Sequence, residues 1–498
     1  MLQVNDAVYC PDLDTRKIPG ALIDMYRWAP LASGMFGTTA VADVFSITGI
    51  AFLAKTFVKV AGTVRFLVFG ASSGTGVIDE YSASGTRTNR ATSLTASSYW
   101  TAASWGDQII ATNYADAVQS STGAGFTALS GSPPKARHIA ANINFVMLAS
   151  TNDGTAYEDE VYWSGIRNPL TWTPSIATQC GRIRLLDTPG PITQLVAFRD
   201  KFYAFKENSI FVGEYVGPPA IFQWRVVSSR IGCVGFAGQA VTECDDKLYF
   251  AHTTGFYEFD GSQVRNVGLP VWRTILNAVG YGGNPKITAS TGVALSTNRM
   301  VADDIEGIVW YMGYNLETSL YSAFAWGYNV RTGKWACHGQ TTTADAEWPH
   351  IWVQTNHSDM RAFLGTAANV AGRVWQINNS TAACKFRQLL YPYDTNAACT
   401  LTTGLVGDDN GSTTVTGLHY RIVEPSETVP FASCTFNGYA SETKLTNVQT
   451  ATAVVNADLE RFDGLQSARY HSATITGTVG KKCVFAGFGF DQAPSAKR

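Results

Sequence analysis

Residues 67–81, LVFGASSGTGVIDEY, carry the sharpest chemical look-alike in this sequence, with Gly70, Gly74 and Gly76 spaced as Gly-x-x-x-Gly-x-Gly. Such a loop holds a dinucleotide pyrophosphate only where a helix begins at its last glycine and aims backbone amides at the phosphates. Here Val77, Ile78 and Tyr81 follow, a strand-like run that makes the segment a glycine-rich hairpin. No tyrosine has a lysine four places later, so the usual base of such oxidoreductases is missing. The same residues spell Gly70-Ala71-Ser72-Ser73-Gly74, a Gly-x-Ser-x-Gly match, but a nucleophile elbow also needs a following helix.

Seven histidines (138, 252, 338, 350, 357, 419 and 471) are dispersed, without His-x-His or His-Glu-x-x-His spacing, so no metal site is expected. Gly480-Lys481 lacks the earlier glycine of a phosphate loop. Acidic residues cluster at Glu158-Asp159-Glu160, Asp245-Asp246 and Asp303-Asp304. Two carboxylates across a cleft could hydrolyse a glycan, whereas adjacent acids in a turn point at water. Ser150–Thr155 misses an Asp-box by one place, and Asp408-Asp409-Asn410-Gly411 reads as a turn because it lacks the bidentate Glu of a calcium loop. The expectation is no catalytic, cofactor-binding or metal-binding residue, and no cofactor.

Composition points the same way. Of 498 residues, 15% are charged, against about 25% in an average soluble protein. Glycine, small polar residues and aromatics fill the gap, a β-rich palette that excludes disorder. The net charge of −2 argues against a protein that grips phosphates, but not against one that lets DNA slide past. A weakly charged surface suits a subunit covered by partners. Nine cysteines form no Cys-x-x-Cys pair and read as buried thiols in a reducing compartment. The start lacks a signal peptide, and the most apolar stretch, 47–69, is broken by Lys55, Lys59 and Arg65. A soluble chain made in the cytoplasm, with no membrane span, is expected.

The elements that would position these residues are strands. Helical periodicity is confined to a short segment near Val271–Val279. Apolar runs recur at Leu67, Ile110, Val146, Tyr203, Tyr249, Trp310 and Leu364, with a mean spacing of about fifty residues. Most are followed by a turn and a second, aromatic run such as EVYWSG, GFYEFDG or RVWQINN. Strand pairs at that period are the mark of propeller blades; two β-sandwiches with evenly spaced strands are the alternative. The expected architecture is all-β: an extended, Pro-rich N-terminal arm over 1–40, a degenerate six- or seven-bladed β-propeller over 41–380, and an antiparallel β domain over 381–498. The arm has no core of its own and is expected to lie on a neighbouring subunit or an adaptor.

One ordered set of motifs goes further. Ser164–Pro174 (SGIRNPLTWTP), Pro189–Ile192, Lys206–Tyr215 (KENSIFVGEY), Arg230–Gly232 and Gly255–Gly261 (GFYEFDG) follow one another, and the chain closes on ARYHSATITGTVGKKCVFAGFGFD. In this order they resemble the tail nozzle or tail hub proteins of short-tailed bacteriophages (podovirus type), also called head-to-tail joining or packaged-DNA-stabilising proteins. About 110 residues and the final thirty carry the likeness; the arm and 395–460 do not. The resemblance implies a non-enzymatic virion protein, a homohexameric ring at the distal end of the tail, below the adaptor and portal-side proteins. Such a ring retains the packaged genome and conducts it during ejection, with tail fibres and a host receptor as further partners. A propeller glycosidase or depolymerase, or a glycan-binding tail lectin, is the alternative.

Overall fold

The computed structural model describes every residue except 1–4, 98, 236–237, 279–298, 316–321, 341–350, 366–371, 379–383, 393–397, 408–411, 424–430, 442–448, 457–459, 479–481 and 495–498. Its strands build seven four-stranded antiparallel blades and one larger β domain. Blades I to VI take consecutive stretches of chain, at 50–94, 101–128, 135–184, 192–228, 241–266 and 299–340. Blade VII is composite. Its three inner strands are Ile351–Gln354, Val374–Asn378 and Cys384–Leu390, and its outer strand is Ala40–Ile47, from before blade I. Ala40 pairs with Leu390 and Ile47 with Cys384, so the ring is closed by the chain's own beginning.

The recurring runs are now explained, because the second strand of each blade is buried on both faces. Successive side chains of a strand point to opposite faces, and here each face meets a different blade. In Val64–Ser72, Phe66 and Val68 enter the seam with blade VII, while Leu67 and Phe69 enter the seam with blade II. In Lys201–Lys206, Phe202 and Ala204 pack against blade III, Tyr203 and Phe205 against blade V. Such a strand reads as a continuous apolar run rather than an alternating one. The hairpins between first and second strands are tight: Arg199-Asp200 and Asp245-Asp246 all have positive φ, between 45° and 62°, the geometry of two-residue turns matched to strand twist.

Three expectations need correction. The apolar run at Leu364 is not a strand: His357–Leu364 is a helix, capped by the Asn356 side chain and burying Met360 and Leu364 in the blade VII–I seam. The predicted helix near Val271 is present as Trp272–Ala278. The propeller does not stop at 380, since Cys384–Leu390 bonds both to Val374–Asn378 and to Ala40–Ile47.

The third correction concerns the arm, which lies on its own chain. Asn5–Asp6 pairs with Gly487–Phe488, Ala21–Tyr26 with Thr400–Thr403, and Phe36 with Phe485. Residues 5–38 and 400–494 thus form one thirteen-stranded sheet, folded over a core that includes Leu22, Trp28, Phe36, Phe436, Phe462 and Phe485. The propeller is an insertion between two parts of this β domain. The two are locked together. Asp12 accepts hydrogen bonds from the Arg273 and Thr274 amides at the start of the Trp272 helix. Lys334 Nζ donates to the carbonyls of Ala7 and Gly34, and Thr39 meets His338 at 2.7 Å.

Trp28 is fully buried and donates its indole N–H to the Thr400 carbonyl at 3.0 Å. Trp28→Ala is therefore expected to cost about 3–5 kcal/mol of folding stability, measured by chemical denaturation of the isolated chain. An arm that served only a neighbour would leave that value unchanged.

Candidate functional site

The seven inner strands surround a tunnel of about 670 Å³. Lys55, Thr101, His138, Gln194, Glu243, Val301 and Gln354 line it, one from each blade. Burial and inter-strand contacts set its chemistry. The Lys55 ammonium reaches the Ala102 carbonyl at 3.3 Å and is pulled down to about 8 by loss of water. Burial pushes the His138 imidazole down to about 3, so it is neutral; its Nε2–H donates to the Ile192 carbonyl. Glu243 is raised, first by burial and then by nearby Asp246. A volume of this size holds about twenty waters at roughly 30 Å³ each.

The residues singled out in the sequence are brought into structural roles. Ser72 pairs with Thr75 across a hairpin whose turn is Ser73-Gly74, both at positive φ, and no helix follows. Gly70 and Gly76 serve close approach: a Cβ on Gly70 would lie 2.1 Å from the Ile50 carbonyl oxygen. Glu158, Asp159 and Glu160 sit on the third strand of blade III, each beside an arginine: Arg137 at 3.2 Å, Arg184 at 2.8 Å and Arg182 at 3.7 Å. Asp246 binds Arg199 and Asp245 binds Arg331, ion pairs that tie blade IV to V and V to VI at neighbouring hairpins. Among the described residues no group of three His, Cys, Asp or Glu could hold a metal ion. All nine cysteines are buried free thiols. His350, Asp408–Gly411 and Gly480-Lys481 lie outside the described residues. Among the described residues no helix is long and apolar enough to cross a membrane.

The motifs of the resemblance occupy blades III to V. Ser164–Pro174 opens the long connection between the third and outer strands of blade III. Its Trp172 is buried, stacks on Tyr162 with ring centroids 5.8 Å apart, and joins the blade II–III seam. Lys206 is buried and donates to the Leu185 and Thr188 carbonyls, both at 2.7 Å, closing the link into blade IV. Gly232 passes so close that a Cβ would lie 2.0 Å from the Lys206 carbonyl oxygen. The final strands, Tyr470–Gly477 and Val484–Pro494, are interior strands of the β domain.

One acidic pair, Asp303-Asp304, reads from the sequence as facing water, and for Asp303 the structure corrects this. Asp303 is fully buried at the blade VI–VII seam, accepting a 2.7 Å hydrogen bond from Tyr391, which in turn receives the Trp310 N–H at 3.0 Å. Burial lifts this carboxyl to about 6. Asp303 ends the strand Arg299–Asp303, which carries it into the seam rather than out to water.

Fold and site together define an all-β protein, a seven-bladed propeller inserted into a β domain. No protein-family model matches the chain, and no curated protein matches it. Among solved structures it is similar to a quinonprotein alcohol dehydrogenase-like protein from Bacteroides thetaiotaomicron, at 11% identity and a TM-score of 0.34. That match covers 58% of this chain and 66% of the other, so the chain spans slightly less than two thirds of it. It is also similar to YCF48 bound to a peptide, at 10% identity and a TM-score of 0.39, covering 70% and 94% of the two chains.

The raised carboxyl makes a pH prediction. An acid whose folded-state value lies above its unfolded one near 3.8 binds its proton more tightly in the native protein. Its contribution to stability is complete below about 4 and is lost as pH rises through about 6. Asp303→Asn should abolish this component, worth roughly 3 kcal/mol, in denaturation curves compared at pH 4 and pH 7. An unchanged difference between the two pH values would place the titration elsewhere.

Proposed function

We propose that this chain is a structural virion protein, the tail nozzle or hub of a short-tailed bacteriophage. Copies of it form a ring, hexameric in the family it resembles, beneath adaptor and portal-side proteins. The ring surrounds the passage that retains genomic DNA and conducts it at ejection, without sequence-specific contacts.

What supports the reading most is where the family-like residues fall. They are packing residues: Trp172 in one seam, Lys206 and Gly232 in the next links, and the closing strand pair inside the β domain. A likeness carried by packing residues in three successive blades and a distant domain concerns the whole architecture rather than a borrowed loop. In this reading the DNA passage lies between subunits. The acids that a glycosidase would need are engaged by arginines in blade III and at the hairpins, which favours the structural reading over the enzymatic one.

Electron microscopy of purified particles labelled with an antibody to this chain tests the proposal. Label at the distal tail tip, on a ring of six copies, is the expected outcome. Absence from particles, or cleavage of host polysaccharide by the purified chain, would overturn it.

A further inference from the structure

Outside the tunnel, the outer rim between blades II and III holds a second cleft, of about 570 Å³, within the range of small-molecule sites. One wall is apolar, with Leu129, Pro133, Pro134 and the edge of Tyr162; the other carries Lys135, Asn152, Asp153 and Arg182. These polar groups are only partly used. Arg182 spends Nη1 on Asp153 Oδ2 at 2.8 Å, with the Glu160 carboxylate 3.7 Å from the same nitrogen, and its Nε and Nη2 have no hydrogen-bond partner among the described residues. Its guanidinium lies over the Tyr162 ring, 5.8 Å from the centroid. Asp153 keeps Oδ1 open, Asn152 binds the Gly154 amide through Oδ1 and keeps its NH₂ open, and Lys135 has one protein partner for three protons.

We propose that this cleft binds a saccharide unit that carries a carboxylate. The open Arg182 fork matches a carboxylate bidentately. Asp153 and Asn152, an acceptor and a donor held side by side on one hairpin turn, match vicinal hydroxyls. The proline and tyrosine wall accepts the apolar face of the ring. Arg182 and Lys135 face two acids, Asp153 and Glu160, so it is the free edge of the fork rather than net charge that selects a carboxylate. The near-miss of an Asp-box at Ser150–Thr155 is this same turn; it presents the binding groups rather than catalytic ones. The site stands whether or not the chain is a tail protein.

Titration calorimetry on the full chain, with glucuronate, galacturonate and mannuronate as probes and glucose as the neutral control, tests the site. At least one uronate is expected to bind with a Kd in the millimolar range, and glucose at least tenfold more weakly. Arg182→Ala should lose at least tenfold, and Arg182→Lys, which keeps the charge but not the fork, should lose most of that. Arg182 is half-exposed, and an unchanged melting temperature will show that the variants fold. No binding by any uronate, equal binding of glucose, or full binding by folded Arg182→Ala would each overturn the proposal.

Discussion

Closure of the ring is the constraint on which the rest of the structure depends. A propeller blade is apolar on both faces, so a row of blades leaves two raw surfaces unless the last meets the first. This chain meets the need with eight residues, Ala40–Ile47, which leave the β domain and complete blade VII before blade I begins. Phe45 then packs on Phe386 and Tyr81, with centroids 4.8 and 5.7 Å away, joining the last blade to the first. The inner strands of blades I and VII add a parallel contact, Ala54 to Val353. Chain entry and exit are thereby forced to one place, and the β domain must form there from both ends of the sequence.

That coupling explains what was and was not legible in the sequence. The period was legible because double burial makes every second strand a continuous apolar run, as in Phe66–Phe69 and Phe202–Phe205. The fold class followed from it. The seventh unit was misread at Leu364 because a short amphipathic helix and a buried strand look alike over seven residues. The arm was misplaced for a different reason. Trp28 and Phe36 find their partners more than 370 residues away, at Thr400 and Phe485, and no local pattern encodes such pairings. Its proline-rich composition described the segment correctly but could not say which surface it covers. Of the candidate sites, the glycine-rich hairpin was legible; the paired acids, read as facing water, were not, since Glu160 and Asp303 are buried, and neither was the Arg182 cleft, because these are made by contacts between strands.

The low charge of the chain acquires a physical meaning in this frame. Two ion pairs tie blades to one another, Arg199 with Asp246 and Arg331 with Asp245, while the seams themselves are aromatic and aliphatic. The thiols fit the same picture, since burial raises Cys233, Cys244 and Cys434 and leaves them chemically quiet.

Closure by the chain's own beginning can be tested by a disulfide across the seam. Ala42 and Gln388 are direct partners in the pairing of the outer strand of blade VII. In the double variant Ala42→Cys with Gln388→Cys, oxidation should give a bond between positions 42 and 388 in peptide mapping of the monomeric chain. The melting temperature should rise, because the bond closes a very long loop. A 42–388 bond found only between two chains, or none at all under oxidising conditions, would contradict closure in cis and the architecture built on it.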